Sequence, residues 1–143
     1  MKNGVILLFA LIALIGVLCH RANAGSAVAW DGKRELSAAY GGPVEREKSR
    51  ALEAARHKGG TNVRIVAATD AVGYAAIAVA YKPSGHGSII GVSLGNHSAK
   101  EAEAQAINDC LKANGKNPKV RWRWVDRALP RERLGVVQGG IRG

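Results

Sequence analysis

Residues 98–115, SAKEAEAQAINDCLKANG, and residues 43–60, PVEREKSRALEAARHKGG, read as two versions of one helical segment. At an offset of 55, Pro43 falls on Ser98, Val44 on Ala99, Ala51 on Ala106, Leu52 on Ile107, Ala55 on Cys110 and Gly60 on Gly115. Ser98 followed by Glu101 is a capping box: the hydroxyl accepts from a first-turn amide and the Glu reaches back. Pro43 suits the first helical position, with Glu45 and Glu47 in the opening turn, where the helix dipole favours negative charge. The stops agree as well. Arg56-His57-Lys58 precedes Gly59-Gly60, and Lys112 precedes Asn114-Gly115, in each case basic residues before a residue tolerant of left-handed backbone. Val44, Ala51, Leu52 and Ala55 share one helical face, as do Ala99, Ala102, Ala106, Cys110 and Ala113. Side chains this small let each helix lie close against a sheet, and Leu at position 106 would overpack the seam.

Working outward, each helix is preceded by two short apolar runs and followed by a third. Ala27–Trp30 and Leu36–Tyr40 flank the turn Asp31-Gly32-Lys33-Arg34, and Ala76–Val79 and Ser88–Leu94 flank Lys82-Pro83-Ser84-Gly85-His86-Gly87, so both pairs read as hairpins. Val63–Ala68 and Val120–Val125 close the two units. The reading is an α+β fold: a single small domain of two tandem ββαβ repeats, residues 26–70 and 73–126. Its antiparallel strands form one sheet or two closely packed ones, with both helices packed on the outside.

The ends of the chain read differently. Lys2, an uncharged apolar run from Val5 to Leu18, and Ala22-Asn23-Ala24 describe a secretory signal peptide over residues 1–24, cleaved after Ala24. The run is too short for an ordinary membrane span, and an uncleaved anchor is the alternative. Residues 127–143 hold four arginines, one proline and several glycines and read as a basic flexible tail, with room for a short strand at Leu134–Val137. The chain has 143 residues, 47% hydrophobic and 5% aromatic, with a formal charge of +10. That length allows one core. Cleavage removes Lys2 and Arg21 from 21 basic residues and none of the 11 acidic ones, so 19 against 11 leaves +8. It also removes Cys19, leaving Cys110 either buried and inert or free to pair with another chain. A core poor in large side chains makes a homodimer a reasonable support.

Gly73-Tyr74-Ala75-Ala76-Ile77-Ala78, the turn after it, and Ser98-Ala99-Lys100-Glu101-Ala102-Glu103 running on to Cys110 resemble the repeat of a secreted bacterial domain of unknown function, family 4189. The resemblance covers most of residues 26–126 and is better in the second repeat. It implies export and a small tandem fold, and it supplies no catalytic residues. It also implies a partner for the helix Cys near the following strand. Val120–Asp126 contains no Cys, and Ala55 stands at the Cys position of the first repeat, so that disulfide is absent.

Motifs for catalysis, metal binding or phosphate cradling do not occur: there is no H-E-x-x-H, C-x-x-C, G-x-S-x-G or P-loop pattern. His57 at a helix end and His97 before a cap read as surface residues. His86, between glycines in a turn, is a weak loop candidate for a ligand or an enzyme. Glu45/Glu47 and Glu101/Glu103 sit where helix starts favour acids. No catalytic residue, metal ligand or cofactor is assigned, and the protein reads as a non-enzyme.

Lys119-Val120-Arg121-Trp122-Arg123-Trp124-Val125-Asp126 is the most distinctive strand. Regular alternation puts Val120, Trp122 and Trp124 on one face, as core bulk, and Arg121, Arg123 and Val125 on the other. Arg121, Arg123, Lys119, Arg127 and Arg64 then form a candidate cationic surface, with Arg64 adjoining if the two final strands pair. Such a surface suits an anionic partner: an envelope component, an acidic protein or, without any supporting motif, nucleic acid. The expected function is an exported binding protein, periplasmic or secreted, with no stable membrane span once mature. The alternatives are a periplasmic inhibitor or immunity protein against a toxin or envelope hydrolase, and an enzyme using His86.

Overall fold

The computed structural model describes residues 24–127 and 135–141. All but Ala24 of the expected leader lies outside the described residues. The elements run β1 (Ser26–Trp30), β2 (Glu35–Tyr40), α1 (Val44–His57), β3 (Arg64–Thr69), β4 (Gly73–Tyr81), β5 (Ser88–Asn96), α2 (Ala99–Lys112), β6 (Lys116–Asp126) and β7 (Gly135–Gly140). Each repeat builds its own sheet around its first strand: β3-β1-β2 in one and β5-β4-β6 in the other, with β7 added beside β2. All pairings are antiparallel. The result is an α+β fold of two tandem ββαβ units in four layers, helix, sheet, sheet, helix.

Period-two alternation assigns the layers. Val28, Leu36, Ala38, Ala75, Ile77 and Trp124 point between the sheets into the central core. Ala27, Ala29 and Ala39 face Ala51 and Ala55 of α1, and Ala76, Ala78 and Ala80 face Ala102, Ala106 and Cys110 of α2. Small side chains line both helix seams, and the bulk sits in the middle.

The helix ends behave as the repeat predicts, with two adjustments. Ser98 caps α2, its hydroxyl accepting from the Glu101 amide at 3.2 Å. Pro43 precedes the first helical residue and contributes no side-chain cap. The stops are equivalent: the Gly60 amide donates to the Ala55 carbonyl at 3.1 Å and the Gly115 amide to that of Cys110 at 2.8 Å. Gly59 and Asn114 before them both take positive φ. The other adjustment is Glu47. It is fully buried, four residues before Ala51 on the apolar stripe, and is not a solvated opening-turn acid.

The C-terminal segment departs from a flexible tail. Gly135–Gly140 pairs with all of β2, and Ile141 is buried in the central core, its amide donating to the Arg34 carbonyl. Glycine is required at position 139, where a Cβ would lie 2.1 Å from the Trp122 ring. Residues 128–134, including Leu134 of the expected short strand, lie outside the described residues.

Candidate functional site

Strand β6 lies at the edge of its sheet and is irregular in two places. Ile77 pairs with Trp122 and Ala78 with Val120, so Arg121 is an extra residue between them; a second shift falls between Lys119 and Lys116. A bulge of this kind re-aims side chains and is commonest on edge strands. It corrects the strand reading. Trp122 and Trp124 do pack into the central core, but Val120 turns to the α2 side. Arg121 and Arg123 no longer belong to one row.

Lys119 and Arg121 line a cavity of about 300 Å³ together with Val79, Tyr81, Asn117 and Trp122. The far wall is Gly140 and Ile141 from the β7 end, so the cavity opens in the mouth between the two sheets. Both cations are exposed, and neither has an acidic partner among the described residues. Unpaired cations beside an indole edge and an amide can take a carboxylate, phosphate or sulfate group.

The remaining candidates lie elsewhere. Arg123 donates to Glu103 of α2 at 2.8 Å and is neutralised there. Arg64 begins β3, at an edge of the other sheet, because β3 pairs with β1 and not with β6. Arg127 is exposed just past the end of β6, eight residues and roughly 26 Å of extended chain from Lys119. His86 is exposed in the β4–β5 turn, its carbonyl accepting from the Ser84 hydroxyl. Tyr81 and Ser88 on either side of that turn reach the cavity, whereas His86 does not line it. Of the five cationic residues, the fold brings two together.

Repeat equivalence carries through to the bulge. In the first repeat Val28 pairs with Ala67 and Ala29 with Ile65, leaving Val66 as the extra residue. At the offset of 55, Arg64 corresponds to Lys119 and Val66 to Arg121. Val66 packs against the central core; Arg121 faces the cavity. Alternation along the strand cannot locate a bulge, which only the pairing with β4 reveals.

Cys110 resolves to its buried alternative. It is fully buried, with its thiol directed at the Ala78 and Ile89 carbonyls at 3.5 and 3.9 Å. Burial pushes the thiol pKa up, opposed by hydrogen bonding to the Gly91 backbone and reinforced by Asp109. Such a thiol is a poor nucleophile and has no access to another chain. Among the described residues no cluster of His, Cys, Asp and Glu could hold a metal ion, and no helix is long and apolar enough to cross a membrane. No protein-family model matches the chain, and no curated protein or solved structure does so. The resemblance to family 4189 therefore stands on the residues quoted above.

Proposed function

We propose that the protein is an exported, non-enzymatic binding protein that engages an anionic partner through Lys119 and Arg121. The observation carrying this reading is the bulge at Arg121, which sets two cations without an acidic partner among the described residues on one cavity. The leader-like N-terminus and the charge of +8 left after its removal support export and an anionic partner. The resemblance to family 4189 also implies export.

Charge alone would give weak, diffuse attraction to any polyanion, so the test must hold net charge constant. Lys119→Glu with Arg121→Glu is compared with Arg64→Glu with Arg127→Glu, each pair changing the charge equally. Binding is titrated against anionic-phospholipid vesicles and a soluble polyanion at low and high salt. The first pair should lose about tenfold or more in affinity at low salt and the second much less. Equal losses would sink the site. A stoichiometric, salt-insensitive complex captured from envelope extract would favour the inhibitor reading instead.

A further inference from the structure

At the end of β6 away from the cavity, Asp126 is 3% exposed. Its Oδ2 accepts from the Ser26 hydroxyl at 2.9 Å, and the Ser26 oxygen accepts from the Trp124 indole N–H at 3.2 Å. Oδ1 has no hydrogen-bond partner among the described residues. The other buried acid nearby, Glu47, is differently placed: Arg46 and Arg50 hold its two oxygens at 3.2 and 2.7 Å. Asp126 has no such cation among the described residues. A buried carboxylate without a counter-charge strongly disfavours folding unless it takes up a proton. Burial pushes the Asp126 carboxyl up, the Ser26 hydrogen bond opposes this, and Glu47 adds to it.

The backbone that passes this carboxylate is the start of β1. Ser26 is its donor, so Gly25 is one peptide away. Gly25 is pressed against the entry to α1, where a Cβ would come within 2.8 Å of the Gly42 carbonyl and 2.9 Å of Val44. Gly42 in turn lies against the Arg46 guanidinium and the Glu47 carboxylate it pairs with. Residue 25 is thus one peptide from the Ser26 that binds Asp126 and packs on the Gly42 that lies beside Glu47. It is also the first residue of the chain if the leader is cleaved after Ala24.

We propose that the α-ammonium group created at Gly25 by leader removal is the counter-charge of Asp126, so that processing completes this end of the core. The inference rests on the export reading. A signal peptidase hydrolyses the Ala24–Gly25 amide with one water: the C–N bond breaks, and hydroxyl adds to the Ala24 carbonyl carbon. That acid gives up its proton, and the Gly25 nitrogen, having gained one hydrogen from water, takes a second proton to become –NH3+. The ordinary α-amino pKa of about 8 keeps it charged at neutral pH. In the uncleaved chain Ala24 is itself buried, and the Gly25 nitrogen is an uncharged amide. The leader-bearing chain is therefore the less stable form, which favours its transport unfolded.

The test uses chain 25–143, released from a tag so that it begins with a free Gly25, against the same chain after N-terminal acetylation. Each is prepared with and without Asp126→Asn. The free amine should raise the folding equilibrium constant about tenfold or more at pH 7, and the gain should vanish in Asp126→Asn. The sign with pH is distinctive. In the acetylated chain Asp126 has a raised folded pKa, so stability is present at low pH and lost as pH rises through that pKa. In the free chain that loss is offset until the amine deprotonates above about pH 8. Matching curves for the free and acetylated chains would overturn the proposal, as would a gain that persists in Asp126→Asn. Should that variant not fold, NMR titration of the Gly25 amine decides: a pKa above its ordinary value supports the pairing, and an ordinary value overturns it. Mass analysis of the exported protein is a separate arm. A first residue other than Gly25 would overturn the cleavage reading, while the released chain would still report whether the ammonium and Asp126 pair.

Discussion

Helix α1 lays Glu47, Ala51 and Ala55 on its sheet, and α2 lays Ala102, Ala106 and Cys110 on the other at the same three positions. Opposite the helices, Ser37 pairs with Ala29 in the first sheet and Gly91 with Ala78 in the second, again at equivalent places in the ladder. The second seam is dry and so close that a Cβ on Gly91 would lie 2.0 Å from the Ala106 carbonyl oxygen. The first contains a buried carboxylate and a hydroxyl without a partner among the described residues. One chain path thus tolerates two chemistries. Glu47 is accepted because Arg46 and Arg50 reach it from the same helix, at an exposed flank where the guanidinium groups keep water contact.

Exchanging the two chemistries is the most severe way to break the comparison. In α2 the residues equivalent to Arg46 and Arg50 are Glu101 and Gln105, so Ala102→Glu would bury a carboxylate with no cation at either of those positions and an acid beside it. The expected loss is about 3–5 kcal/mol in urea unfolding. Adding Gln105→Arg should recover part of it, as Arg50 does for Glu47. An Ala102→Glu protein as stable as the parent would show that α2 can lift off its sheet and that the seam is not close-packed.

What could be read in the sequence follows from the same residues. Ser98, Gly60, Gly115 and the Ala stripes act within a few residues along the chain, so the helices, their stops and the repeat were legible. Glu47 was misplaced because its charge matches two rules, the helix dipole and the solvent face, while its spacing from Ala51 obeys a third. The candidate site was half legible. Lys119 and Arg121 were identified by charge, but alternation grouped them with Arg123, and only pairing with β4 reveals the extra residue. Strand β7 was legible only as room for a short strand at Leu134–Val137, for a different reason. Its glycines suggest a flexible chain unless Trp122 and Tyr40 are known to lie against Gly139 and Gly135, contacts between residues far apart in sequence.

Gly91→Ala tests the close approach itself. The added methyl meets backbone, not a side chain that could rotate away, so α2 must shift outward. A loss of about 2–3 kcal/mol is expected, with native thiol protection at Cys110 reduced in parallel. Wild-type Cys110 should resist a thiol reagent until the protein unfolds. Because burial raises its folded pKa above the ordinary thiol value, the stability linked to its protonated thiol is full below that ordinary value and is lost as pH rises through the folded pKa. Cys110→Ala, the first repeat's residue, should cost about 1–2 kcal/mol for the lost volume. It should also remove that alkaline slope, and a slope that survives would assign it to another group.

The smallest expected effect is the most discriminating, because it differs in sign. Ser37 occupies in the first ladder the place that Gly91 occupies in the second, yet its Cβ is already accommodated and only its hydroxyl is unsatisfied among the described residues. Ser37→Ala removes a buried polar group and leaves the backbone and Cβ untouched. The folded state then no longer bears the desolvation of an unpaired hydroxyl, while a small volume is given up. These terms nearly cancel, with a net change between zero and about 1 kcal/mol of stabilisation. Alanine at two equivalent positions should therefore move stability in opposite directions, down at Gly91 and level or up at Ser37. If Ser37→Ala instead costs as much as Gly91→Ala, the Ser37 hydroxyl has a partner that the fold supplies, and the first seam is as fully satisfied as the second.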